Sequence, residues 1–461
     1  MKRAIQILIC LASSVAAFAE PAAPASAAQH GAPDAELRIC APKRLFAELT
    51  QIFRTATSDP QAEMRLSLAL MFFGYPNFNG ISQNADAAAL FYGIDTDSPI
   101  TAVALKTDGT SKQPLALQAL KSSQFEVSQL DDYAVAVSGA GKEFAAYAEL
   151  AKAAAEKNKL SSLAEITLRK NAIGALPFAK PQIFRDAESA RVKISHEPPY
   201  LAVSLEIKFK EGTESFALAQ SAGREKFLEE ALVIPQRCDF AVISKTRSPN
   251  NSAAYAEILS SFAPPEDAKK LSSLLGGGAG TFAIAANFGE NLSFACAEKT
   301  AMAQADLEKL AREIAPLLRG ASGESAAACE NIKIGEIPCV KTDFPEPLRG
   351  TLFSSVWRGY LLSACDAETL GGMLKSCESP AADFPLSKYA RADCDIAAVL
   401  NNSSLIGKLL QKRGAKLKDG AQIDDTALYA NASNGTLKIF TRIDLRILGC
   451  YLELFSREKK K

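Results

Sequence analysis

Histidine is nearly missing from this sequence. Two occur in 461 residues, His30 and His196, and one of them falls in a tether, so a histidine-rich zinc site within one chain is excluded. Ser-His-Asp and Cys-His nucleophile systems would have to use His196. That residue stands beside Glu197-Pro198-Pro199, where a solvated hairpin-turn residue is the expected role. Tryptophan occurs once, at Trp357, so few rings are placed to stack a sugar. An excess of one charge is missing too. The 52 Lys and Arg balance 52 Asp and Glu, which gives no general field for a polyanion and argues against nucleic acid as a partner. No C-x-x-C exists to suggest a zinc knuckle or thioredoxin-type site, and no G-x-S-x-G to suggest a nucleophile elbow. The one S-x-x-K, Ser456–Lys459, lies in the tail. Beyond the N-terminus no stretch reaches the ~18 uncharged apolar residues of a transmembrane span.

Weaker motifs give way to plain readings. Ser138-Gly139-Ala140-Gly141-Lys142 joins a strand to a helix, as a phosphate-binding loop does. Ala136 stands where that motif needs its first glycine, and Glu143 where Ser or Thr would bind magnesium. The segment reads as a helix start. Gly276-Gly277-Gly278-Ala279-Gly280 precedes a strand and reads as a flexible link. Asp95-Thr96-Asp97, Asp108-Gly109, Asp131-Asp132 and Asp424-Asp425 lack a full calcium loop and read as polar turns. The sequence calls for no catalytic residue, no metal ligand and no cofactor.

What is present begins with an export pattern. Lys2 and Arg3 precede an apolar stretch, Ala4 to Val15, too short to span a bilayer, and Ala17-Phe18-Ala19 offers small residues at the positions signal peptidase reads. Residues 1–19 are expected to be a signal peptide. Cys10 does not make this a lipoprotein signal, because Ile9 stands where a small residue is needed. Residues 20–35, rich in Ala and Pro, read as a disordered tether. The expected location is periplasmic or secreted, which permits disulfides. Of the ten cysteines all but Cys10 follow the leader, an odd number, so at least one thiol stays unpaired unless two chains share it. Cys365 and Cys377 flank a predicted helix of roughly 16 Å, too far for a bridge. Cys329–Cys339, across a predicted hairpin, and Cys377–Cys394, across a Pro-containing loop, are the expected pairs.

A mean hydropathy of +0.01 with 23% charged residues is that of a folded globular protein, and the length exceeds what one core usually serves. Apolar residues recur in two similar series. The segment from Leu130 and that from Val356 each read strand, polar turn, helix. Those from Leu163 and Cys394 read strand, turn, short helix. Those from Ala190 and Thr426 read as hairpins, with Pro198-Pro199 and Asn434-Gly435 as turns. The hairpin from Ala88 parallels that from Gly280. The predicted class is α+β, with two similar lobes, each a mainly antiparallel sheet with helices packed on one face. The first lobe is placed at 36–212, a connection at 213–237 and the second lobe at 238–456, with an insertion of a helix and a Cys-bearing hairpin near 302–339 and a basic tail at 457–461.

Gly74-Tyr75-Pro76-Asn77-Phe78-Asn79-Gly80-Ile81 ahead of a strand pair, with the strand-turn-helix units at Tyr133 and Tyr360, loosely resembles exported bacterial proteins of uncharacterised function built from a duplicated α+β unit. The resemblance implies no activity and carries over no functional residue. Two functions are weighed. One is a non-catalytic binding or interaction protein of the envelope, taking a lipid, a glycan or an envelope protein, with Met71–Phe73 and Phe78 as residues for a groove. The other is a hydrolase that uses carboxylates alone, which requires acids converging in a cleft with raised pKa values.

Overall fold

The computed structural model describes residues 31–57, 61–71, 80–110, 125–176, 182–221, 238–245, 281–288, 292–317, 326–344, 350–378, 395–412, 423–447 and 450. The leader, most of the tether and of Gly74–Ile81, the glycine run at 276–280, Cys394 and the basic tail lie outside them. So do the side chains of 71–73 and 78. The chain divides into two compact units, Met1–Phe216 with Gly435–Lys461, and Ala217–Asn434. The α+β class with antiparallel sheet is what the described residues show.

In the first unit, β1 (Ala35–Ile39) leads into α1 (Pro42–Thr57) and α2 (Ala62–Met71). Two hairpins follow, β2 (Ala87–Tyr92) with β3 (Ile100–Lys106) and β4 (Phe125–Leu130) with β5 (Tyr133–Ser138). Next come α3 (Phe144–Glu156), β6 (Ala164–Arg169), the short α4 (Lys170–Gly174) and α5 (Gln182–Arg185), and the hairpin β7 (Ala187–Glu197) and β8 (Tyr200–Phe209); α6 (Glu214–Ser221) holds the division after Phe216. The strands lie in the order β4–β5–β3–β2–β1–β6–β7–β8, every pair antiparallel. Ala88, Leu90, Ala102, Ala104, Val135 and Val137 share one face, and α3 covers them with Tyr147, Ala148, Ala151, Ala154 and Ala155. Alanine on both sides lets helix and sheet approach closely, and Tyr92 against Tyr147, centroids 4.9 Å apart, closes one end of that seam. Leu45 and Ile52 of α1 pack with Cys40, Leu160, Leu163 and Leu201. The single helical face expected from the sequence holds for α3. The short α4 meets the other face, where its Ala172 contacts Ala35 and Phe91.

In the second unit, β9 (Phe240–Lys245), β10 (Thr281–Phe288) and β11 (Leu292–Lys299) precede α7 (Gln304–Ile314) and the hairpin β12 (Ala328–Ile334) with β13 (Ile337–Phe344). Then come β14 (Gly350–Trp357), β15 (Tyr360–Ala364), α8 (Ala367–Glu378), β16 (Ile396–Leu400), α9 (Asn402–Lys412) and β17 (Thr426–Ser433). The order is β12–β13–β14–β15–β11–β10–β9–β16–β17, again antiparallel throughout. From β14 onward it repeats β4–β5–β3–β2–β1–β6–β7, and the register repeats with it. Ala88↔Ala104 and Leu90↔Ala102 in the first unit correspond to Ala283↔Ala297 and Ala285↔Ala295 in the second. Val135 and Tyr133 correspond to Leu362 and Tyr360. Leu370, Met373 and Leu374 of α8 pack in this second core.

The last described strand, β18 (Thr436–Asp444), belongs to the first unit and pairs with β8 along its length, from Thr436↔Lys208 to Asp444↔Tyr200. The turn before it has φ 51° at Asn434 and 70° at Gly435. A side chain at Gly435 would collide with the Phe216 ring.

Two expectations are corrected. Cys329 and Cys339 carry free thiols. The hairpin register sets Cys329 opposite Thr342 and Cys339 opposite Ile332, so an odd three-residue offset turns the two side chains to opposite faces. His196 is no solvated turn residue. It lies within β7, one residue before its end, its side chain is 0% exposed, and its Nδ1 lies 2.6 Å from Glu48 Oε2 on α1.

Candidate polar groove on the first unit

The face that α3 covers on β2, β3 and β5 continues uncovered by that helix across β1, β6, β7 and β8, and there the side chains turn charged. Register places them. Arg38, paired with Ala88, lies opposite Glu165, and Glu165 opposite Lys193. Glu36, paired with Leu90, lies opposite Thr167, Thr167 opposite Arg191, and Arg191 opposite Glu206. Arg169 lies opposite Ser189, and Ser189 opposite Lys208. Paired residues share a face, so this is one polar surface. The end of α3, with Glu156, Lys157 and Asn158, walls a depression of about 660 Å³ over Glu36, Arg38, Glu165 and Arg191. A second, of about 430 Å³, reaches toward Asp34, Ser189 and Lys208, and the two meet at Thr167 and Arg169.

Glu36, Glu165 and Glu188 face cations, and Asp34 is held by neutral donors. Lys157 Nζ donates to both carboxylate oxygens of Glu36, at 2.7 and 2.8 Å. Glu165 faces Arg191 Nε at 3.4 Å and Lys193 Nζ at 3.6 Å. Lys208 pairs with Glu188 at 2.9 Å. Asp34 accepts from Ile94 N and Asn171 Nδ2, each at 3.2 Å. The cations are less fully used. Arg38 Nη2 donates to the Asn158 carbonyl at 2.8 Å and lies 3.8 Å from Asp86, while its buried Nε has no partner among the described residues. The guanidinium of Arg191 is half exposed. Among the described residues no carboxylate and no hydrogen-bond acceptor engages the Arg169 side chain.

The second unit has the same sheet positions with different chemistry. Ala241 and Ile243 stand where Glu36 and Arg38 do, Ala397 and Val399 replace Glu165 and Thr167, and Ala427 and Tyr429 replace Arg191 and Lys193. Ala241, Ile243, Ala397 and Val399 are buried in the second core. The second unit therefore closes over an apolar surface at these positions, whereas in the first unit Glu36 and Arg38 tie down the end of α3 and Glu165, Arg169 and Arg191 line the depressions.

The motifs weighed in the sequence fall elsewhere. Gly139 and Gly141 have φ of 70° and 51° and bring the chain into α3, as a helix start requires. Asp131 and Asp132 form the β4–β5 turn, Asp132 holding Lys106 at 2.8 Å and Asp131 bonded to Lys152. Among the described residues no three His, Cys, Asp or Glu side chains gather as metal ligands. Of the buried acids, Asp86 lies near Arg38, Asp239 bonds Lys408 and Asp444 is clasped by Arg446, while Asp186 accepts from Ser215 N. Burial pushes the Glu298 carboxyl up. Burial likewise drives the thiols up, Cys40, Cys238 and Cys377 to about 11 and Cys296 to about 12.

No protein-family model matches this chain, and no curated protein does. Solved structures similar to it include three crystal forms of TP0453. Form I has TM-score 0.23 and 9% identity over 41% of this chain and 80% of that one. Form IV has TM-score 0.22 and 8% identity over 39% and 77%. Form III has TM-score 0.23 and 7% identity over 41% and 81%.

Proposed function

We propose that this protein is an exported, non-catalytic binding protein of the bacterial cell envelope, and that the polar groove on its first unit is the binding surface. The observation that carries the reading is the contrast between two sheets of the same register. One keeps buried Ala, Ile and Val where the other displays Glu36, Arg38, Glu165, Thr167 and Arg191 around a depression. Guanidinium and ammonium groups lining a concavity, at positions that the second unit fills with apolar side chains, suit a charged ligand. The same contrast supports an internal duplication whose copies diverged, the second keeping an apolar core and the first gaining a surface. Export rests on the leader pattern of residues 1–19. Thiols held in their protonated form are poor nucleophiles, which is how unpaired cysteines survive an oxidising compartment. A carboxylate-only hydrolase finds less support, since Glu298 is raised by burial alone and faces no described partner acid.

The test is native followed by denaturing mass spectrometry of the full chain recovered from the exported fraction. An adduct that leaves on denaturation supports the binding role, and the mass of the chain itself reports whether residues 1–19 were removed. A bare mass at native conditions, from cells grown in several media, overturns it.

A further inference from the structure

We infer that the polar groove binds a soluble oxoanion, a carboxylate or a phosphate, with Arg169 as its principal anchor. The inference rests on the binding reading above and names the ligand chemistry. Lys157 offsets Glu36, and Arg191 with Lys193 offsets Glu165, so neither acid remains to neutralise Arg169. Arg169 stands where the two depressions meet. Cross-strand neighbours surround it with donors of the right kind. Ser189 is directly opposite, and Thr167 and Arg191 form the next pair on the same face, one step along the ladder. Arg38, which lines the larger depression, adds a further guanidinium whose buried Nε has no partner among the described residues. Guanidinium groups offer paired N–H donors that match the two oxygens of a carboxylate or phosphate edge, and they bind such groups more strongly than neutral donors do. A cation, by contrast, would compete with the cations already on Glu36, Glu165 and Glu188. The openness of the groove to water also fits a ligand held by charge and hydrogen bonds rather than by apolar contact.

The test is calorimetric titration of the full chain with inorganic phosphate and, separately, with glutarate. The expected result is saturable binding of at least one, weakened by added salt. Arg169→Gln should reduce affinity by about tenfold or more, and Arg169→Lys by less, since charge is kept and the fork is lost. Arg169 is exposed, so both variants are expected to fold, and circular dichroism checks this. The stronger of the two titrations assigns phosphate or carboxylate. No saturation with either anion, or unchanged affinity in Arg169→Gln, overturns the inference. Native mass spectrometry of Arg169→Gln separates the two readings. An adduct retained by the variant keeps the binding role and removes the oxoanion anchor, whereas no adduct in either protein removes both.

Discussion

Asp86 joins three parts of the first unit through one buried carboxylate. Its Oδ1 accepts from Ala41 N at 3.0 Å, its Oδ2 from Leu160 N at 2.6 Å, and Arg38 lies beside it at 3.8 Å. Asp86→Ala strands two buried amides at about 1–3 kcal/mol each. Urea denaturation of that variant should show a loss of at least about 2 kcal/mol. Glu298 gives the opposite sign. Its folded pKa lies above the ordinary 4.5 because burial disfavours its charge, so its contribution is fully present below that ordinary value and is lost as pH rises through the folded one. Glu298→Gln removes that loss. The variant should be more stable than the parent at neutral pH and equal to it in acid, read from urea midpoints across the range. Cys296, driven to about 12, should resist iodoacetamide at mildly alkaline pH in the native chain and react once unfolded. These residue roles were not legible in the sequence. The neighbours of Asp86 and the burial of His196 under α1 depend on contacts between residues far apart along the chain, and no local pattern encodes those.

At the scale of elements the sequence was more informative, because strands and helices announce themselves by period. Alternation places β3, β5 and β8 over the residues they occupy, and the Ala-rich run after Gly141 is α3. The β7 strand is longer than its apolar residues suggest, since pairing with the ten-residue β8 carries it from Ala187 to Glu197. The groove was half written. Glu165, Thr167 and Arg169 alternate with Ile166 and Leu168, which marks a polar face, but a solvated surface leaves the same mark. Only register brings Arg38 and Arg191 beside them. The α3 seam should be intolerant of volume. Ala151, at 0% exposure between helix and sheet, has no room for a larger side chain, and Ala151→Leu should cost about 1–3 kcal/mol in thermal or urea unfolding. Gly435→Ala should destabilise by a comparable amount, through both its left-handed φ and the Phe216 ring.

For the whole molecule, the decisive feature is that the first unit is completed by β18. Residues 31–221 alone end with β8 as an unpaired edge, and exposed edges invite association. That fragment should elute as aggregates or oligomers in size-exclusion chromatography, and the same fragment carrying residues 435–447 on a flexible linker should elute as a monomer. The repetition of strand order was visible in the sequence as paired strand-turn-helix segments. The return of the final strand to the first unit was not, because the hairpin signal at Asn434-Gly435 speaks only for its immediate neighbours. This return sets a timetable. A ribosome makes β1 to β8 early, yet the partner of β8 emerges only when nearly the whole chain has been made, and contacts so distant in sequence form slowly. The first unit is begun first and finished last. Were the chain exported as proposed, such lateness would leave its leading half pliable until its last strand had followed it across the membrane.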